Sequence, residues 1–163
     1  MSIEFKNPVV MVSDMSASRH FYEGPLGQVI ANDFGANVIY ESGLSLWEAK
    51  RAGEIIFGSR ELPTGTGDFE LYFESEDVAS AFARLAEAGA EVIQQVHEEP
   101  WGQMSFRCYD PGGNIVEVAE PMDALVRRLA ATGQTPGEVS ERTQMPLEFV
   151  LQVIEEAGRD TGG

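Results

Sequence analysis

Apolar positions along this chain fall into short runs, switching between the two-residue alternation of strands and the three-to-four spacing of helices. Val9–Val12 is an apolar strand closed by Ser13-Asp14, and Met15–Glu23 reads as a helix with Asp14 as N-cap and Gly24-Pro25 as its stop. Val29–Asp33, Asn37–Tyr40 and Leu44–Ala49 are short strands split by Gly35 and Gly43. Residues 50–67 read as a loop, with Pro63-Thr64-Gly65-Thr66-Gly67 as the linker. The order then restarts. Phe69–Phe73 alternates as a strand, and Val78–Ala88 is an amphipathic helix with Val78, Phe82 and Leu85 on one face and Gly89 as its stop. Val92–Val96, Met104–Tyr109 and Ile115–Ala119 complete three more strands. Asp14 recurs as Asp77 and Val29-Ile30 as Val92-Ile93, each 63 residues on, so the chain carries two copies of strand–helix–strand–strand–strand.

The second copy ends in YDPGGNIVEVAE, residues 109–120. Pro111 presets φ in this turn, and Gly112 and Gly113 can take positive φ. In the strand that follows, Glu117 lies on the face opposite Val116 and Val118. If the valines bury against a helix, the carboxylate points across the sheet.

The two copies resemble the vicinal oxygen chelate superfamily, which includes glyoxalase I, bleomycin-resistance proteins, extradiol dioxygenases and fosfomycin-resistance enzymes. VVMVSDMSASRHFYEGPLG, FESEDVASAFARLAEAGAEV and PWGQMSFRCYDPGGNIVEV carry the resemblance, over roughly residues 5–121. It implies an α+β fold in which two βαβββ modules form a U-shaped cup. The implied boundaries are 1–121 for the double module (module one 1–49, linker 50–67, module two 68–121), 122–158 for a C-terminal helical appendage and 159–163 for a tail. The resemblance also implies a homodimer. Metal-binding members use inward positions on the first and last strand of each module. Here the resemblance places these positions at Asn7, Ser45, Glu70 and Glu117, and only Glu117 is the family's usual residue at its position. Neither His20 nor His97 falls on a ligand position, so the family's His-ligated zinc, nickel or iron is not expected. An oxygen-ligated divalent ion is the alternative to a cup with no cofactor.

Without metal, Glu70 and Glu117 facing each other would have perturbed pKa values, suiting a general base and acid or a cationic or hydroxylated ligand. Solvated carboxylates in a wet cup are the plainer reading. Trp47 lies two residues beyond Ser45 and Tyr72 two beyond Glu70, so each shares the ligand-facing side. Tyr40 and Trp101 read as wall residues or, more simply, as core. Cys108 reads as a buried, inert thiol and Arg107 as a structural ion-pair partner.

Asp123–Ala131, a capped helix from Thr135-Pro136-Gly137-Glu138 to Arg142, and Pro146–Ala157 ended by Gly158 form the appendage, and RDTGG reads as a disordered tail. The last two helices have the spacing of a helix-turn-helix, but Leu147–Ala157 has no Lys or Arg and carries three glutamates. The net charge of −16 likewise argues against nucleic acid or anionic lipid as partner. One cysteine fits a reducing compartment, and neither a signal segment nor an apolar run of membrane length is present, so a cytoplasmic protein is expected. Two functional readings follow. In the first, the cup binds a small organic molecule through Asn7, Ser45, Trp47, Tyr72 and Trp101. In the second, a glyoxalase-like lyase or isomerase uses Glu117 as base, aided by Glu70.

Overall fold

The computed structural model describes residues 5–58, 62–65, 67 and 69–160, with Asp160 described by its backbone alone. Module one consists of β1 (Val9–Val12), α1 (Met15–Glu23), β2 (Ile30–Asp33), β3 (Asn37–Tyr40) and β4 (Ser45–Glu48). A helix not expected from the sequence, α2 (Ala49–Phe57), follows directly. Module two repeats the order with β5 (Glu70–Glu74), α3 (Val78–Glu87), β6 (Glu91–Glu98), β7 (Met104–Tyr109) and β8 (Ile115–Ala119). The chain ends in α4 (Met122–Ala131), α5 (Pro136–Thr143) and α6 (Leu147–Asp160). The strands form two four-stranded sheets of equivalent order, β1-β4-β3-β2 and β5-β8-β7-β6. In the first, β1 runs parallel to β4, and β3 is antiparallel to both β4 and β2. The α+β fold of two βαβββ modules with C-terminal helices is therefore the fold of this chain.

Matching local chemistry starts the helix of each module. The Asp14 carboxylate accepts the Ala17 N–H at 2.9 Å, and Asp77 accepts the Ser80 N–H at 2.9 Å, so each satisfies an otherwise orphaned first-turn donor. Strand alternation then gives the first sheet two different faces. Val10, Val12, Val38, Tyr40 and Leu46 are buried, and the Tyr22 ring of α1 lies 6.3 Å from that of Tyr40. Tyr40 is thus core, not cavity wall. Val9, Ile39, Ser45 and Trp47 occupy the opposite face. In module two, Phe82 of α3 meets Phe106 of β7 edge-to-face at 5.2 Å.

The C-terminal helices have their own core of Leu125, Val126, Leu129, Val139, Val150 and Val153. The expected capping box is formed, with Thr135 Oγ1 accepting from Glu138 N–H and Glu138 accepting from Thr135 N–H. Gly158 does not stop the last helix, because α6 continues to Asp160 and Arg159 pairs with Glu155 across one turn. A single helical glycine costs about 1 kcal/mol, which the apolar stripe of α6 outweighs. The tail expected at 159–163 therefore begins no earlier than 161, and 161–163 lie outside the described residues.

The loop expected at 50–67 is also revised. Its first part is α2, whose buried residues are the small Ala49, Ala52 and Gly53 while Ile55, Ile56 and Phe57 are exposed. This inverts the usual sign of an amphipathic pattern and explains why the helix was not legible. Thr66 of the expected linker lies outside the described residues. Gly65 has φ +62° and sits against the β7–β8 turn, where an added Cβ would meet the Gly112 carbonyl oxygen at 2.1 Å. Only glycine fits there.

That turn is organised by Asp110, which is 4% exposed. Its carboxylate accepts from the backbone N–H groups of Gly112 and Asn114 at 2.9 and 2.8 Å, from Asn114 Nδ2 at 2.9 Å and from the Tyr22 hydroxyl at 2.8 Å. Asp110→Ala strands all four donors and should destabilise the protein by about 3 kcal/mol, whereas Tyr22→Phe removes one bond and should cost about 1 kcal/mol. Urea denaturation followed by circular dichroism measures both, and equal losses would show that the turn does not depend on the carboxylate.

Candidate ligand-binding site

The outward face of the first sheet floors a cavity of about 420 Å³. Val9, Ser45 and Ile39 stand abreast on β1, β4 and β3, with Trp47 and Asn37 as the next pair. Phe34, Arg51 and Ile55 complete much of the wall. Asn7, two residues before β1, donates through Nδ2 to Ser45 Oγ at 2.8 Å. Asn37 donates through Nδ2 to the Leu46 carbonyl at 2.9 Å. Asn7, Ser45 and Trp47, all expected at the site, therefore line one cavity. Phe34, Asn37, Ile39, Arg51 and Ile55 were not anticipated. For Asn37 and Ile39, strand alternation with Val38 was the available signal. For Arg51 and Ile55, the helix that places them could not be read.

In module two the equivalent positions carry charge instead. Glu117 is 5% exposed, and its Oε1 lies 3.0 Å from Arg107 Nη2. Arg107 Nη1 also donates to Glu99 Oε1 and Gln94 Oε1, each at 2.8 Å. Glu99 accepts from Ser105 Oγ at 2.8 Å and lies 3.3 Å from His97 Nε2. Burial pushes the Glu99 carboxyl up, but the hydrogen bonds from Arg107 and Ser105 outweigh it and hold the group below its usual value. Glu117, expected to face Glu70, has the Arg107 guanidinium beside it. Glu70 is exposed at the start of β5.

Tyr72 is 48% exposed. Its hydroxyl donates to Glu74 at 3.1 Å and accepts from Gln103 Nε2 at 3.0 Å. Partial burial pushes its phenol up to about 12, with Glu74 and Glu117 adding to the rise and the Gln103 hydrogen bond opposing it. The Trp101 indole N–H donates to Gln103 Oε1 at 2.8 Å, and its ring packs on the core of the C-terminal helices. Arg128 donates to the Gly102 carbonyl at 2.7 Å, and Arg142 pairs with Glu98. The appended helices therefore hold the β6–β7 loop that carries Glu99 and Gln103. Cys108 is buried, and burial pushes its thiol up to about 11, consistent with an inert side chain.

The four family ligand positions, Asn7, Ser45, Glu70 and Glu117, include no histidine. The Asn7 amide is turned as a donor towards Ser45, and the Glu117 carboxylate is matched by Arg107. Among the described residues no group of three His, Cys, Asp or Glu side chains is placed to hold a metal ion. The donor set does not fit the metal of the His-ligated members.

Fold and sequence together define the class. The chain belongs to the glyoxalase-like domain family, whose model matches residues 5–123. It is similar to a protein of unknown function from Agrobacterium tumefaciens str. C58, at 36% identity and TM-score 0.69, with 74% of this chain and 96% of that one covered. A glyoxalase-related enzyme from Fulvimarina pelagi matches at 22% identity and TM-score 0.63, over 72% and 88% of the two chains. A lactoylglutathione lyase from Agrobacterium tumefaciens matches at 23% identity and TM-score 0.54, over 74% and 95%. At these lower identities the last two show the fold alone. No curated protein matches the chain significantly.

Because folded Glu99 binds its proton less tightly than the unfolded residue, it stabilises the protein at neutral pH, and this contribution is lost as pH falls through and below the ordinary carboxylate range. Glu99→Gln should therefore destabilise the protein at about pH 7, with the difference from wild type shrinking towards about pH 3. Denaturant titrations across that range measure it, and a pH-independent difference would remove Glu99 as a source of acid sensitivity.

Proposed function

We propose that the chain binds a small organic molecule in the cavity on the outward face of its first sheet, without the His-ligated metal of other family members. One observation carries this reading: a cavity of about 420 Å³ with Trp47, Phe34 and Ile39 as apolar walls and the hydrogen-bonded Asn7–Ser45 pair as a polar anchor. A largely apolar pocket with a few placed polar groups is the usual form of a small-molecule site. The family's association with small-molecule chemistry supports it.

The rival reading, a glyoxalase-like lyase or isomerase using Glu117 as base, has less support. Arg107 occupies one side of that carboxylate, and the likeness to a lactoylglutathione lyase extends to the fold only. We also propose a homodimer, on the strength of Phe5, Phe34, Ile55 and Phe57, which are 82, 68, 58 and 56% exposed.

The chain has two tryptophans, so Trp101→Phe leaves Trp47 as the only indole reporter. Aromatic compounds that enter the cavity should quench or shift its emission. Trp47→Ala should weaken their binding at least about tenfold by calorimetry, the loss of roughly 1.4 kcal/mol. Unchanged affinity in Trp47→Ala would place the ligand elsewhere and end this reading.

A further inference from the structure

The cavity has a charge that the expected acidic site did not anticipate. The only charged side chain lining it among the described residues is Arg51. This stands out in a chain with 27 acidic and 11 basic residues, where a random charged neighbour would more often be a carboxylate. The position of Arg51 adds to the effect. It lies in the first turn of α2 beside Lys50, and that turn contains no acidic residue. Helix N-termini carry partial positive charge and usually attract acids, so two bases there raise the local positive potential. Glu48, the N-cap residue, makes no side-chain capping bond.

The partner of Arg51 does not hold it fast. Its Nη1 meets Glu54 Oε2 at 3.0 Å, and both side chains are about half exposed, at 55 and 43%. Exposed pairs at this spacing are weak and readily exchanged. The guanidinium can turn to a stronger acceptor at the cavity without breaking a buried contact. A carboxylate is matched by the planar fork of a guanidinium in a two-point geometry. The indole of Trp47 and the ring of Phe34 supply flat apolar walls beside it.

We infer that the ligand is an aromatic anion, its ring against Trp47 and Phe34 and its carboxylate or equivalent acid at Arg51. This rests on the small-molecule reading of the cavity and adds the sign of the ligand's charge, opposite to what the glutamates alone suggested. The inference is tested with three probes of one shape, 1-naphthoate, 1-naphthalenemethanol and 1-naphthylmethylammonium, titrated into the full chain carrying Trp101→Phe. The expected result is that naphthoate binds about tenfold more tightly than the alcohol and the ammonium binds most weakly, with added salt eroding the advantage of the acid. Arg51→Gln should abolish the preference for naphthoate while leaving affinity for the alcohol within about twofold, and Arg51→Lys should keep part of it. Equal binding of acid and alcohol, tighter binding of the ammonium, or a preference that survives Arg51→Gln would overturn the inference while leaving the cavity reading intact. Binding of none of the three would overturn both.

Discussion

The fold depends on one buried carboxylate. Asp110 is almost wholly removed from water, and a buried carboxylate left without partners would be strongly destabilising. Two backbone N–H groups, one side-chain amide and the Tyr22 hydroxyl answer it. The first three fold the β7–β8 turn onto itself, and the fourth comes from α1, 88 residues away in sequence. A turn that would otherwise close only its own hairpin thereby also fixes a helix of the other module. Tyr22 in turn packs on Phe21 and Tyr40, so the apolar core and the polar turn share one side chain.

The two modules repeat a topology but not a chemistry. Each sheet buries one face and leaves the other to carry function or solvent. On the first, the remaining positions are Val9, Ile39, Ser45 and Trp47, which with α2 enclose an apolar cavity. On the second, Arg107 and Glu117 occupy that role, joined by Glu99, Ser105 and His97 in a chain of ionic and hydrogen-bonded contacts. Two carboxylates share one guanidinium there. One outward face is thus ionic and internally paired, and the other is apolar with a cavity on it. The duplicated architecture lets two chemistries diverge on one strand order.

Much of this was legible in the sequence because short-range signals agreed with the final packing. Asp14 and Asp77 read as caps and are caps, and β1, β3, β7 and β8 end where their turn residues are. The shared face of Ser45 and Trp47 follows from strand alternation alone. What could not be read depends on contacts distant in sequence. Nothing near Glu117 indicates that its charge meets Arg107, since the pairing requires β7 and β8 side by side. The packing of Trp101 on the C-terminal helices likewise depends on residues distant in sequence. The helix α2 was hidden for a local reason, because its buried side is made of Ala and Gly and its large residues face outward.

The connector between the modules shows what a single close contact does to a chain that looks slack. Its composition suggests a long free leash, yet it begins as a helix and is seated again at Gly65, against the backbone of Gly112 and Gly113. Each fixed point divides the leash into shorter arcs. Because closure entropy rises only with the logarithm of arc length, little folding free energy is recovered by this division. The gain is in registration: at Gly65 the connector meets the turn that Asp110 closes, and the two are matched there by main-chain contact alone. A side chain at Gly65 would push those two backbones apart, so one methyl group would disturb the connector and the hairpin together.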